Sequence, residues 1–198
     1  ARFEPNEPAM IERAQENAAG KEAIGRAAAD LVEDGMVVFL DSGTTTLAVA
    51  HALNTRQNLT ICTASLPIAL HMCHLPSVRV HILGGEIDPA EAAAVGVDVL
   101  DAIARFRVDI AFLGGGALSS DGEVTDFTRA GAEQRSRMIL AARKAYFVLD
   151  KSKFGKLTPL RVPNFERATG VIVDAPPAAS IVKALARKGP KLLVAEEM

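Results

Sequence analysis

The chain has 198 residues, 49% of them hydrophobic, and a formal charge of −2 at pH 7. Its basic residues form only short, interrupted groups, so we expect this chain by itself to bind DNA poorly. No apolar stretch approaches the ~20 residues that cross a bilayer, and Cys62 and Cys73 provide no disulfide framework. These features argue against a membrane or exported protein and predict a cytoplasmic one.

Residues 1–20 are typical of a linker. This stretch begins with Ala1 rather than Met, is mostly polar, and carries Pro5, Pro8 and the carboxylates of Glu4, Glu7, Glu12 and Glu16. Few apolar residues are available there to form a core. We expect residues 1–20 to lead from a preceding part of the protein into one domain formed by residues 21–198.

Helical and strand-like patterns alternate from Lys21 onward. Apolar residues at helical spacing predict a first helix that ends near Gly35. Strands are then predicted over 36–40, 59–63, 78–83, 108–113, 145–149, 170–173 and 191–195, and further helices over 46–53, 67–73, 95–106, 130–142 and 178–187. The alternation predicts an α/β fold of the Rossmann-like kind, a mostly parallel sheet with helices on both faces.

Polar or glycine-rich loops follow five of these predicted strands. They occupy residues 41–46, 63–65, 84–86, 114–116 and 150–153. Ligands of open α/β sheets bind outside the carboxyl ends of the strands. We therefore expect the five loops to meet at one crevice.

The first of these loops is the strongest candidate for an anion site. Its residues are Asp41, Ser42, Gly43, Thr44, Thr45 and Thr46. Such a loop before a helix offers backbone N–H groups, hydroxyls and the positive end of the helix to a phosphate. Asp41 would repel a phosphate, so we expect it to bind a sugar hydroxyl or the loop amides. Simple helix capping is the structural alternative.

The other loops supply further candidates. Lys153 can offer a positive charge to a phosphate, and Asp150 can orient the Lys153 side chain or bind the hydroxyls of a ligand. Gly84, Gly85, Gly114 and Gly115 allow close approach of a ligand or of neighbouring backbone. The hydroxyls of Thr63 and Ser65 can donate hydrogen bonds to ligand oxygens. Solvated lysines and tight turns explain the same residues without a ligand.

We expect neither a metal nor a cofactor. His71 and His74 match no familiar zinc spacing, and the chain lacks the Gly-x-Gly-x-x-Gly turn of dinucleotide-binding proteins after its first strand. Asp121, Glu123 and Asp126 follow the glycine triplet and could provide a general base. A solvated acidic loop explains them as well.

The ordered set of motifs resembles the C-terminal effector-binding domain of the DeoR family of bacterial transcriptional repressors. The resemblance runs from about Glu12 to Asp174, and each motif is weak alone. The motifs are Glu12-Arg13, Asn17, Lys21, Ile24, Ala27-Ala28, Asp34-Gly35, Asp41-Ser42-Gly43-Thr44-Thr45, Leu83-Gly84-Gly85, Gly96, Asp109 to Gly114, Asp121-Gly122, Arg137-Met138-Ile139 and Asp150 to Gly155.

This resemblance implies a ribose-5-phosphate-isomerase-like fold without turnover, which binds a phosphorylated sugar or related metabolite. It also implies a winged helix-turn-helix domain upstream, through which alone the protein would contact DNA, and a homodimer or homotetramer. The loop at 41–45 would hold the effector phosphate or a hydroxyl, with Asp150, Lys153 and Lys21 nearby. The family commonly has Thr-Asn-Ser where this chain has Thr63-Ala64-Ser65, which leaves the identity of the effector open.

The competing interpretation is an enzyme, a sugar-phosphate isomerase of the same fold. Those isomerases carry a Lys just before the glycine run and a Glu shortly after it, which acts as the base. Here Leu113 stands at the Lys position, and the carboxylates of Asp121 and Glu123 are out of register. Proton transfer between carbons needs a placed base, so the sequence favours a sensor over an isomerase.

Overall fold

A parallel sheet of seven strands organises the molecule. The computed structural model describes residues 3–4 and 6–195. The strands of this sheet are β1 (Val37–Leu40), β2 (Thr60–Thr63), β3 (Arg79–Ile82), β6 (Val108–Leu113), β9 (Ala142–Leu149), β11 (Gly170–Val173) and β12 (Lys191–Val194). They pair in the order β12-β11-β9-β6-β1-β2-β3, and every pairing is parallel.

Helices cover both faces of this sheet. The covering helices are α2 (Ala18–Ala29), α3 (Thr44–Ala52), α4 (Leu66–Cys73), α5 (Val97–Ile103), α6 (Arg129–Ala141) and α7 (Ala179–Lys188), and the short α1 (Met10–Arg13) precedes them in the chain. Successive side chains of a strand point to opposite faces: Val38 and Leu40 join the core under α2, α3 and α4, whereas Phe39 joins the core under α5, α6 and α7. Because both faces are buried, the strands are continuous apolar runs.

The predicted fold class is confirmed. All seven predicted strands form the large sheet, and six helices correspond to predicted ones with shifts at their ends. Helix α5 begins at Val97 rather than at 95 because Val95 belongs to a strand and Gly96, at φ +100°, precedes the helix. Strand β9 begins at Ala142 because it pairs there with Val108.

Two small sheets were not predicted. Strands β4 (Glu86–Asp88) and β5 (Ala93–Val95) form an antiparallel hairpin. Strands β7 (Ala117–Leu118), β8 (Val124–Asp126) and β10 (Leu160–Arg161) form the second sheet. Strands of two or three residues carry too little periodicity to be predicted from sequence.

The order of the strands reverses at β1. Strands β2 and β3 continue on one side of β1, whereas β6, β9, β11 and β12 lie on the other. Such a switch point opens a crevice at the carboxyl ends of the two central strands, here directly after Leu40 and Leu113. Within the described part of the chain, no helix is both long and apolar enough to span a membrane.

Candidate functional site

Two adjoining cavities occupy the crevice at the switch point. The larger has a volume of about 310 Å³ and lies between the β4–β5 hairpin, the first loop and the start of α6. The narrower one lies at the start of α3, beside Gly114 and Lys153. Four side chains line both cavities, and these are Glu7, Ser42, Glu91 and Arg135.

Asp41 joins the two central strands at the base of the crevice. Its side chain is 1% exposed. Its Oδ1 accepts a hydrogen bond from the Ser42 amide at 2.8 Å, and its Oδ2 accepts one from the Gly114 amide at 2.9 Å. The Nε of Arg135 lies 2.9 Å from the same Oδ2, as an ion pair. Asp41 therefore binds loop amides, one of the two roles expected for it.

Arg135 lies between two buried carboxylates. It also forms an ion pair with Asp126, whose side chain is 4% exposed. Burial raises the pKa of Asp126, and the guanidinium of Arg135 opposes that shift. Burial alone would lower the pKa of Arg135, but Asp126 and Asp41 together raise it, so Arg135 stays charged. This triad forms a fixed wall of the larger cavity.

The start of α3 presents donors to the narrower cavity. Gly43 precedes the helix at φ +136°, a conformation that favours glycine, and no side chain caps this end. Among the described residues, no acceptor is found for the backbone N–H groups of Thr44, Thr45 and Thr46. The Thr46 hydroxyl donates a hydrogen bond to the Gly43 carbonyl at 3.0 Å. Free amides at a helix start are suited to bind an anion.

Two cations flank this helix start and share one carboxylate. Glu7 Oε1 lies 3.0 Å from Arg13 Nη1 and 3.1 Å from Lys153 Nζ. Arg13 also pairs with Glu91 at 2.7 Å. The exposed fractions of the Arg13 and Lys153 side chains are only 8% and 14%. Burial raises the pKa of Glu91, and Arg13 opposes that shift.

Lys21 and Asp150 lie beneath the cavities rather than along them. Lys21 Nζ donates to the Arg13 carbonyl at 2.5 Å, and burial lowers its pKa while Asp150 opposes that shift. Asp150 is fully buried, and its Oδ1 accepts from the Ser152 amide at 3.0 Å and from Asn17 Nδ2 at 3.3 Å. Its Oδ2 has no hydrogen-bond partner in the described structure.

The loops after β2 and β3 lie away from both cavities. The Thr63 hydroxyl accepts from the Ser65 amide, and the Ser65 hydroxyl accepts from the Ile68 amide and caps α4. Strand β5 covers this loop, since Ser65 bridges to Ala93. Gly84 and Gly85 lead into the β4–β5 hairpin.

The predicted site residues thus divide into two groups. Those that line a cavity are Asp41, Ser42, Gly43, Thr44, Thr45, Thr46, Gly114, Gly115 and Lys153. Those that line neither cavity are Lys21, Thr63, Ser65, Gly84, Gly85 and Asp150. Whether any of them contacts an effector stays a prediction.

Comparison with known proteins identifies the family. A profile described as "DeoR C terminal sensor domain" matches residues 16–175. The chain belongs to this family.

Curated relatives of this sensor domain are transcriptional repressors. It is 33% identical over 165 residues to the glycerol-3-phosphate regulon repressor of Escherichia coli (strain K12). This match covers 83% of this chain and 66% of that protein. It is 29% identical to the HTH-type transcriptional repressor CsqR of the same strain, over 89% of this chain and 68% of that protein. The sensor domain therefore spans about two thirds of the length of these repressors.

A solved structure shares the fold of the sensor domain. The translation initiation factor eIF-2B of Pyrococcus horikoshii OT3 matches with a TM-score of 0.56 at 14% identity, over 81% of this chain and 64% of that one. Ribose 5-phosphate isomerase A of Methanocaldococcus jannaschii matches with a TM-score of 0.49 at 19% identity, over 68% of this chain and 53% of that one.

The carboxylates after the glycine run lie mostly outside the crevice of the sensor domain. Asp121 accepts a hydrogen bond from Ser119, and Glu123 pairs with Arg161 and Lys188. Neither lines a cavity. Asp126 does line the larger one, but Arg135 pairs with it. The arrangement is that of a structural ion pair, not of a free base.

Sequence reasoning missed five charged residues of the crevice of the sensor domain as site residues. Arg135 carried a signal, because it lies on α6 three residues after Ala132 and three before Met138, both buried in the core. A charged residue at such a position needs buried partners. Glu7, Arg13, Asp88 and Glu91 carried no comparable signal. The hairpin and the residues before α2 bring them to the strand ends.

Proposed function

We propose that this chain senses a phosphorylated sugar or sugar-derived metabolite for a transcriptional repressor. The phosphate would bind in the narrower cavity at the start of α3, and the rest of the molecule would occupy the larger cavity. The hydrogen bond from the Gly114 amide to Asp41 holds the loop after β1, whose residues line both cavities. The other predicted residues beneath the crevice, Asp150 and Lys21, would support this site without touching the phosphate.

One observation carries this proposal. Free amides at the start of α3 face a cavity that also contains Lys153 and Arg13, so donors and positive charge meet where an anion would bind. The adjoining larger cavity is lined by Asp88, Asp126, Thr128 and Gln134. Carboxylates, a hydroxyl and an amide suit the hydroxyl groups of a sugar or polyol.

The proposal extends to the whole repressor. The residues before α2 would connect the sensor to an upstream winged helix-turn-helix domain, which would make all contacts with DNA. Effector binding would change the affinity for DNA only if it favours one of two states of the protein. Because two-fold operators are read by symmetric proteins, we propose a homodimer or homotetramer.

Thermal unfolding against a panel of ligands tests the effector class. The panel contains phosphorylated sugars and polyols, among them glycerol 3-phosphate, each beside its dephosphorylated form and inorganic phosphate. A ligand at ~100 times its Kd stabilises the fold by ~2.7 kcal/mol, which raises Tm by roughly 5–10 °C for a chain of this size. A shift confined to one phosphorylated compound identifies the effector, and no shift with any compound contradicts the proposal.

Replacing the hydroxyls at the start of α3 tests the position of the phosphate. Thr44→Val together with Thr45→Val should lower affinity for the effector at least about tenfold, because the cavity loses two polar side chains. The hydrogen bond from the Thr46 hydroxyl to the Gly43 carbonyl is retained, so the Tm without ligand should change little. Thr55→Val, at an exposed position outside the crevice, is the matched control. Unchanged affinity in the double variant would remove this loop from the site.

Turnover of the bound compound separates the sensor from the isomerase. The compound recovered after prolonged incubation should be unchanged, since four of the crevice carboxylates are held in ion pairs, Asp41 and Asp126 with Arg135 and Glu7 and Glu91 with Arg13. Conversion to an isomeric sugar phosphate, followed by NMR, would favour the enzyme.

A further inference from the structure

The N-terminal segment, defined here as residues 6–13, lies across the mouth of the crevice. The Met10 amide donates to the Ala90 carbonyl in the turn of the β4–β5 hairpin at 3.0 Å. Arg13 Nε donates to the Pro8 carbonyl at 2.9 Å, and Lys21 Nζ holds the Arg13 carbonyl from below. Both Asn6 and Glu7 line the larger cavity. The segment is therefore part of the wall of the site.

Within this segment, Glu7 provides the one carboxylate that reaches Lys153. The separation is 3.1 Å, and in the described structure Lys153 has no other acidic partner within ion-pair distance. The same oxygen of Glu7 lies 3.0 Å from Arg13. A single carboxylate oxygen thus contacts both of the cations that flank the start of α3.

An effector phosphate would need the same cations. Of the three cations in the narrower cavity, Arg135 is already paired with Asp41 and Asp126. Lys153 and Arg13 are the two that remain: Glu7 contacts both of them, and Glu91 also pairs with Arg13. A phosphate beside Glu7 would also place two anions close together in a partly buried site, where their repulsion is poorly screened.

We propose that the Glu7 carboxylate is an internal competitor of the effector anion. In the absence of effector, Glu7 helps to hold the N-terminal segment on the crevice through its ion pair with Lys153. The bound anion takes over Lys153, and the segment loses this one of its attachments to the crevice. The inference rests on the proposed function, and it specifies how occupancy of the site changes the residues that lead into the sensor domain.

Two variants test the attachment before any ligand is added. Amide hydrogen exchange of the N-terminal segment, followed by mass spectrometry, reports the Met10 bond to Ala90. Glu7→Gln keeps the size of the side chain but removes its charge, so exchange of the segment should accelerate at least about fivefold. Glu12→Gln changes an exposed carboxylate on the same segment and should exchange as the wild type does. Equal protection in all three proteins would overturn the inference, whatever the ligand.

Binding of inorganic phosphate and of glycerol 3-phosphate, measured by calorimetry, tests the competition. Glu7→Gln should bind the anions about fivefold more tightly or better, because no carboxylate has to be displaced. Anion binding to the wild type should also accelerate exchange of the segment, and Lys153→Gln should lose this coupling. Unchanged or weaker binding in Glu7→Gln would overturn the competition.

These experiments distinguish failure of the proposed function from failure of the proposed competition between Glu7 and the effector anion. If the wild type binds a phosphorylated compound and Thr44→Val with Thr45→Val lowers the affinity as expected, the proposed function stands, and an unchanged affinity of Glu7→Gln contradicts only the competition. If neither the wild type nor Glu7→Gln binds any compound of the panel, both proposals fall. Far-ultraviolet circular dichroism of each variant confirms that it is folded.

Discussion

Asp41 shows how one buried residue can hold a site together. Its two oxygens connect the loop after β1 to the loop after β6 through the Ser42 and Gly114 amides, and Arg135 neutralises its charge. The charge is buried in the folded chain but hydrated in the unfolded one. The cost of burying it is offset only while these partners remain.

Asp41→Ala should therefore lower the free energy of unfolding by about 3 kcal/mol, because it leaves two amides without acceptors and removes one partner of Arg135. Urea unfolding measures the change. Asp101→Ala, at an exposed position on α5, should change stability by less than about 0.5 kcal/mol. Similar values for the two variants would contradict the structural role of Asp41.

At the scale of elements, the turn between β7 and β8 packs against helix α7. Gly122 lies in this turn at φ +77°, and a Cβ there would overlap the backbone of Leu185. Gly35 has a similar φ of +83°, but nothing lies within 4 Å of its Cβ position. The two glycines share the same backbone strain and differ in crowding.

Substitution of each glycine by alanine separates the energetic cost of the backbone conformation from the cost of crowding. Gly35→Ala should cost about 1 kcal/mol, the cost of a side chain at positive φ. Gly122→Ala should cost roughly 3 kcal/mol or more, since the turn must also move away from α7. Thermal or urea unfolding of both variants gives the two values. Equal losses would show that α7 adjusts to the methyl group without cost.

At the scale of the whole molecule, the crevice brings carboxylates together from distant parts of the chain. Burial raises the pKa of Glu91 and of Asp126, and arginines oppose each shift. The folded protein therefore keeps these protons to a higher pH than the unfolded chain does. As pH rises from the ordinary pKa of each group through its raised pKa, the contribution of that group to the free energy of unfolding falls.

Glu91→Gln should remove one of these groups. Between the ordinary pKa of glutamate and the raised pKa of Glu91, the free energy of unfolding of the wild type should fall relative to that of the variant as pH increases. Above that range the difference should be constant, because Glu91 is then ionised in both the folded and the unfolded wild type. Urea unfolding over a pH series measures both curves, and parallel curves throughout would contradict a raised pKa.

The linker prediction is only partly addressed by the structure. Residues 1, 2 and 5 of the predicted linker, and residues 196–198 of the predicted domain, lie outside the described residues. Helix α2 begins at Ala18, and the shorter α1 precedes it. The boundary between residues 20 and 21 therefore stays a prediction, as do the upstream domain and the oligomer.

The amino-acid sequence by itself determined the α/β class, the seven strands and the loop at the start of α3. These follow from local patterns, since apolar runs, glycines and capping residues act over a few neighbours in the chain. Only the tertiary structure decided that Glu7 contacts both Arg13 and Lys153, that Glu91 pairs with Arg13, and that β5 covers the loop of Thr63 and Ser65. The reason is that the order of parallel strands and the placement of short hairpins depend on packing between distant segments, which no local pattern encodes.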